Sequence, residues 1–210
     1  AELSRLITDS ANRLAALPGY EVTFTGNSDA VQPSGEKIEF NEIRRVSLAR
    51  PGKLRIEQIE SDGDITVILF DGQVIRVLDT ASGVFAEAPQ PGSIDDAVIY
   101  LVRDLKIRLP LAMMLTTRLA DDLDSRIRSV SYVEYTEILG RPAHHLAARG
   151  AGVDMQIWIS DDDERLPLRI VLTYPDEPGA PQVRTLFLDW KPGAPDPGDL
   201  PNNHLAYAVQ

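Results

Sequence analysis

Between positions 153 and 172 the apolar residues of this chain fall on every second position. Val153, Met155, Ile157 and Ile159 point one way, and Asp154, Gln156 and Trp158 the other. Beyond the acidic turn Asp161-Asp162-Asp163-Glu164, Leu166, Leu168, Ile170 and Leu172 are set against Pro167, Arg169 and Thr173. Side chains of a strand alternate between faces, so the pattern describes antiparallel strands with one oily side and one wet side. Such a sheet has to cover its oily side. What covers it decides the function.

The rest of the chain supplies more strands and two helical regions. Leu3, Leu6, Ile7, Ala11, Leu14 and Leu17 recur at helical spacing, so residues 1–18 read as a helix ended by Pro18-Gly19. Strand alternation follows in Tyr20, Val22 and Phe24, then in Ile38 and Phe40, and resumes at Val46 and Leu48 after an expected bulge near Arg44-Arg45. Leu54 and Ile56 follow the turn Pro51-Gly52. Residues 65–70 are apolar on both faces and read as a central strand, and Asp71-Gly72 is a strong hairpin signal. A short strand at 84–88 closes the first half.

Ser93-Ile94-Asp95-Asp96 reads as a capping box opening a helix with the stripe Ile94, Ala97, Val98, Leu101, Val102 and Leu105. Pro110 suits the first turn of a second helix over 109–115, and the polar run 118–128 is expected to return the chain to strands. Strands follow near 130–138, 144–149, 153–160, 166–174 and 183–190. Seven of the fifteen prolines lie from Pro175 to Pro201, so 192–210 reads as an extended tail. The expectation is a single α+β domain over 1–210. It comprises an N-terminal helix, about six strands, a helical insert over 93–128 and about five strands, with no fixed-period repeat.

A formal net charge of −11 argues against nucleic acid, which needs a concentrated positive field, and against adhesion to an anionic membrane. No run reaches the roughly 20 apolar residues of a spanning helix. With no cysteine, thiolate metal sites and disulfides are excluded. The start Ala1-Glu2 fits a product trimmed by a signal peptidase, though a chain shortened in another way would begin identically. Enzyme signatures such as G-x-S-x-G, a P-loop or H-E-x-x-H do not occur, so a non-enzyme is expected. His144 and His145 are strand neighbours facing opposite sides and cannot chelate one ion. His145 reads as a hydrogen-bonded structural residue, His204 lies in the tail, and the acidic clusters 161–164 and 121–124 lack the spacing of a calcium loop. No metal and no cofactor are expected. Trp158 and Trp190 fall at outward or ambiguous positions.

Gly140-Arg141-Pro142, His145-Leu146, Asp154-Met155-Gln156-Ile157-Trp158-Ile159, Leu166-Pro167, Thr173-Tyr174, Pro181-Gln182 and Asp189-Trp190 together resemble a bacterial family of predicted periplasmic proteins. That family is catalogued as domain of unknown function 2092 and grouped with LolA/LolB/LppX-like lipoprotein carriers. The first half is similar more loosely, through Arg50-Pro51-Gly52-Lys53-Leu54-Arg55-Ile56-Glu57 and the insert. The family pattern is often aromatic at position 155 and Phe at 148, where this chain has Met155 and Ala148. The resemblance implies a strongly curved antiparallel sheet, an unclosed half-barrel whose concave face is covered by the N-terminal helix and the central insert. It also implies a periplasmic location and acyl chains of a lipid or lipoprotein held between sheet and helices.

On that reading the residues expected to line an apolar cavity are Phe24, Phe40, Ile56, Met155, Ile157, Leu168 and Ile170 from the sheet. Ile99, Leu101, Met113 and Met114 line it from the insert, where methionines adapt to varied apolar partners. Alternation alone leaves open an ordinary filled core. The rival to a lipid carrier is therefore a non-transporting module whose core is self-filled and whose outer face or sheet edge binds an envelope protein.

Overall fold

The computed structural model describes residues 2–193 and 195–198. The chain runs α1 (Glu2–Ala16), β1 (Gly19–Val31), β2 (Lys37–Ala49), β3 (Lys53–Glu60), β4 (Ile65–Phe70), β5 (Val74–Asp79) and β6 (Val84–Pro89). The insert follows with α2 (Ile94–Ile99), a π-helical turn (Tyr100–Asp104), a 3-10 turn (Ala112–Leu115) and α3 (Leu119–Arg126). The chain then forms β7 (Ile127–Ile138), β8 (Arg141–Gly150), β9 (Asp154–Ser160), β10 (Pro167–Thr173) and β11 (Gln182–Pro192). The eleven strands form one open antiparallel sheet in the order β6-β5-β4-β3-β2-β1-β11-β10-β9-β8-β7. Most of the expected tail, with His204, lies outside the described residues.

The chain divides into two compact units. One comprises Leu17–Phe24, Glu42–Thr116 and the described residues from Asp189 on. In it β2, β3 and β4 pair in unbroken register, Val46 with Ile56 with Ile68 and Leu48 with Leu54 with Phe70. All six side chains are buried on one face. At about 1.5–3 kcal/mol for each fully buried aliphatic or Phe side chain, this row is a main source of the unit's stability. The expected bulge at Arg44-Arg45 does not occur, because Ile38, Phe40, Arg44, Val46 and Leu48 already share one parity. β4 is buried on both sides, as its composition predicts: Val67, Leu69 and Leu78 form a second cluster with Ile65 and Phe85. The hairpin glycine Gly72 has φ +92°, which glycine adopts without cost, and the Asp71 carboxylate accepts from Gln73 N and Val74 N.

Ser93 caps α2 as expected, its hydroxyl accepting from Asp96 N while the Asp96 carboxylate accepts from Ser93 N. Ile94 N donates to Pro51 O at 2.8 Å, and Ile94, Ala97, Val98 and Leu101 are buried. The second helix expected over 109–115 is not α-helical. Leu111 adopts a left-handed φ of +60°, which breaks the helix, and only the 3-10 turn follows.

The other unit holds α1, Thr25–Asn41 and Thr117–Leu188. α1 buries Ile7, Ser10, Ala11 and Leu14, and the Ser10 hydroxyl donates to Arg165 O at 2.6 Å. The polar run after 118, expected to end the insert and lead back to strands, opens with a helix, α3. Asp121 and Asp122 sit in its first turn, and Asp122 pairs with Arg126 one turn later at 2.9 Å. In β9 and β10, Ile157 faces Ile170 and Met155 faces Leu172. A bulge between Pro167 and Arg169 turns Leu168 to the opposite face, where it packs with Trp158, Val171 and Ala143.

Candidate functional site

The inward row of β2 carries the least expected chemistry. Glu42, Arg44, Val46 and Leu48 alternate onto one face, and Arg50 follows in the turn just beyond β2, so guanidinium groups precede and follow an aliphatic pair. Arg44 is only 2% exposed. Its Nη2 meets Glu42 at 3.1 Å, its Nη1 donates to Pro110 O at 3.3 Å, and its Nε has no partner among the described residues. Arg50 donates from Nε to Leu17 O at 3.2 Å and from Nη1 to Leu115 O at 3.0 Å, while its buried Nη2 has no partner among those residues. From β1, the buried Tyr20 hydroxyl donates to Met114 O at 3.3 Å, and the Tyr20 ring meets Trp190 edge-on at 5.3 Å. Three side chains, from β1, β2 and the turn after β2, thus hold three backbone carbonyls of the segment 110–115.

The electrostatics follow from burial. Burial lowers the Arg44 pKa, against the opposing pull of Glu42. Burial likewise raises the Glu42 carboxyl above the ordinary range, against the attraction of Arg44. The Tyr20 phenol is pushed far up by burial, with the Arg50 charge opposing. A buried arginine costs desolvation free energy that only good partners offset, and an unfilled donor leaves part of that cost standing.

The expected lining residues divide between the two units. Phe24, Ile56, Ile99, Leu101, Met113 and Met114 belong to the first; Phe24, Ile56, Leu101 and Met114 are buried, while Ile99 and Met113 are half-buried. Phe40, Met155, Ile157, Leu168 and Ile170 belong to the second. There Ile157 and Ile170 are buried on one face with Met155 half-buried, Leu168 is on the other face because of the bulge, and Phe40 is 51% exposed. Phe40 shares the parity of Arg44 and Val46 but sits beyond Glu42, the last β2 residue that pairs with β3. Arg44, Arg50 and Tyr20 were missed as site residues. For Arg44 the signal was the shared parity of 42, 44, 46 and 48, hidden by the expected bulge; alternation alone does not mark Tyr20 or Arg50.

A second polar cluster occupies the other unit. The two imidazoles face opposite sides, as strand geometry requires. His144 lies 3.2 Å from the Tyr132 hydroxyl and 3.1 Å from Asp161, whose carboxylate also accepts from Tyr135 at 3.0 Å. Hydrogen bonds from Tyr135 and then His144 hold the Asp161 carboxyl below its usual range. His145 stacks on Trp158 at 3.9 Å, with its Nε2 3.1 Å from Gln156 Oε1, and the Arg169 guanidinium lies 5.0 Å from the Trp158 ring centre. Trp158 is therefore buried between cationic or ionisable neighbours instead of exposed. Among the described residues no three His, Cys, Asp or Glu side chains come together as a metal site.

An open eleven-stranded antiparallel sheet whose helical insert joins β6 to β7 is a fold this chain shares with LppX and LprF. Lipoprotein LppX of Mycobacterium tuberculosis is similar at TM-score 0.52 and 12% identity, over 90% of this chain and 95% of that one. LprF of Mycobacterium bovis is similar at TM-score 0.56 and 13% identity, over 94% and 98%. An uncharacterised conserved protein of Thermus thermophilus reaches TM-score 0.50 at 13% identity, over 92% and 90%. No curated protein matches the chain significantly. The chain belongs to the family of predicted periplasmic proteins DUF2092, whose model matches residues 4–199. Membership assigns it to the periplasm, and no helix among the described residues is long and apolar enough to cross a membrane.

Proposed function

We propose that this protein is a non-catalytic periplasmic carrier that holds the acyl chains of a lipid or lipoprotein against its oily sheet face, with the insert 93–128 as the lid. The supporting observation is the way segment 110–115 is held. Three side-chain-to-carbonyl bonds, from Arg44, Arg50 and Tyr20, tether it to β2, the turn after β2 and β1. The backbone of the insert is irregular: a π-helical turn, left-handed residues at Lys106 and Leu111, and a 3-10 turn. Met113 and Met114 within it suit varied apolar partners.

The magnitudes favour exchange. A neutral hydrogen bond contributes about 1 kcal/mol net and one to a charged group about 1.5–3, so the two arginine tethers and the tyrosine tether contribute about 4–7 kcal/mol. A buried methylene contributes about 0.8 kcal/mol, so an acyl chain that replaces the insert's apolar contacts needs roughly five to nine further methylenes to offset the tethers. Lifting of the insert, filling of the row by the chain and release at a partner or membrane would then constitute transfer without any bond being made or broken.

The test is native mass spectrometry of protein purified from a Gram-negative host, followed by organic extraction. Co-purifying acyl lipid at near-stoichiometric load is the expected result. A clean protein mass, with no uptake of added phospholipid or acylated peptide, would leave the self-filled interaction module as the correct reading.

A further inference from the structure

We infer that Arg44 is the head-group receptor of this carrier and that its cargo carries an anionic oxygen head, a carboxylate or phosphate, on an acyl chain. The inference rests on the acyl-carrier reading above and adds the ligand class.

The starting point is the accounting of donors on and beside the inward row. Arg44 is 2% exposed, yet its Nε–H has no acceptor among the described residues, and the same is true of the buried Nη2 of Arg50. The donors that are filled are met largely by the insert: Pro110 O, Leu115 O and Met114 O take Arg44, Arg50 and Tyr20. These neutral backbone oxygens occupy the positions that ligand oxygens would take. When the insert lifts, Arg44 loses Pro110 O and is left with two unfilled donors, Nη1 and Nε, beside Val46 and Leu48. An apolar tail cannot satisfy them, and leaving them bare in an oily setting costs more than any contact the tail adds nearby.

An anionic head fits better than an ester or hydroxyl. The guanidinium is a fixed cation whose fork matches carboxylate and phosphate oxygens. Among the described residues its close counterion is Glu42, which meets Nη2 and leaves Nε open, with Nη1 joining it once the insert lifts. Arg108 adds a second cation near the pair and Glu60 a second anion, so the four groups balance formally and selection rests on the guanidinium nitrogens that Glu42 does not take. The chain as a whole is acidic, which makes this inward arginine a local exception and a device for selecting among amphiphiles that the oily row alone would not distinguish.

The experiment is a titration of the delipidated full-length protein with three probes sharing one chain: oleate, oleoyl lysophosphatidate and methyl oleate. The expected result is that at least one anionic probe binds ten times or more tighter than methyl oleate. Which anion wins identifies carboxylate or phosphate as the natural head. In Arg44→Met, of similar length but uncharged, loss of the Pro110 tether should change binding of all three probes alike, and the preference between them should vanish. If that variant does not fold, Arg44→Lys serves, retaining the charge and part of the preference. Equal binding of the three probes to the native protein overturns the head-group assignment and leaves the acyl reading intact. A preference that persists unchanged in the Arg44→Met protein overturns the assignment to Arg44. No binding by any probe overturns the acyl reading as well.

Discussion

Asp29 on β1 offers a perturbation whose size and pH dependence can both be worked out in advance. Its side chain is only 6% exposed. The carboxylate accepts from Gln182 N at 2.9 Å and from the Arg184 guanidinium at 3.0 and 3.3 Å. Asp29→Asn keeps a neutral acceptor for Gln182 N and removes the charge. Hydrogen bonds to charged groups contribute about 1.5–3 kcal/mol. Arg184 is 31% exposed and keeps Glu39 and Gln182 as partners, so solvent screening and these contacts reduce the loss to about 1–2 kcal/mol. The hydrogen bond from Arg184, then that from Gln182, holds the Asp29 carboxyl below the ordinary carboxylate range. A carboxyl whose pKa is lower folded than unfolded stabilises the fold fully above the unfolded value of about 3.9, and that stability is lost as pH falls through the folded value. Urea unfolding at pH 7 should therefore show the native protein more stable than Asp29→Asn by about 1–2 kcal/mol. The gap should narrow steadily once the pH drops below about 4. A gap that is absent at pH 7, or undiminished in acid, would refute the reasoning.

Other expectations concern the insert and the second unit. Leu101→Ala, at a side chain with no exposure, should cost about 2–5 kcal/mol in urea unfolding, since the cavity cannot fully collapse. Ser93→Ala should cost about 1 kcal/mol and raise amide exchange in 94–104 while leaving β7–β10 protected. Gly150→Ala should lower the unfolding midpoint by about 1–3 kcal/mol equivalent, because an added Cβ would stand 2.8 Å from Val153 O and 3.2 Å from Arg126 O. An unchanged midpoint would mean the backbone there yields freely.

Much of the fold was legible because its signals are local. Strand alternation, the Asp71-Gly72 hairpin and the Ser93 capping box act over two to four residues, and the structure reproduces them together with six strands before the insert and five after it. The failures were of three physical kinds. α3 buries only Leu119 and Ala120, so its apolar stripe is too thin to register against a polar run. Bulges shift parity silently: one was assumed at Arg44-Arg45 where the ladder is regular, and the real one beside Arg169 moved Leu168 off its expected face. A buried arginine defeats alternation outright, since its inward placement depends on Glu42 and on a carbonyl 66 residues distant in sequence. Burial of the aliphatic rows could thus be read from periodicity, and the inward placement of the arginine could not.

The double burial of β4 has a consequence for how the chain must be kept. Ile65-Thr66-Val67-Ile68-Leu69-Phe70 is six residues with high β-propensity, no charge, no proline and no glycine, which is the composition of a self-stacking fibril segment. In the native sheet it is enclosed by β3 and β5, and aspartates at 64 and 71 stand at its two ends as electrostatic gatekeepers. Fraying that strips β6 and then β5 from the sheet margin would bare this hexapeptide, so β6 and β5 guard the chain against amyloid-type association.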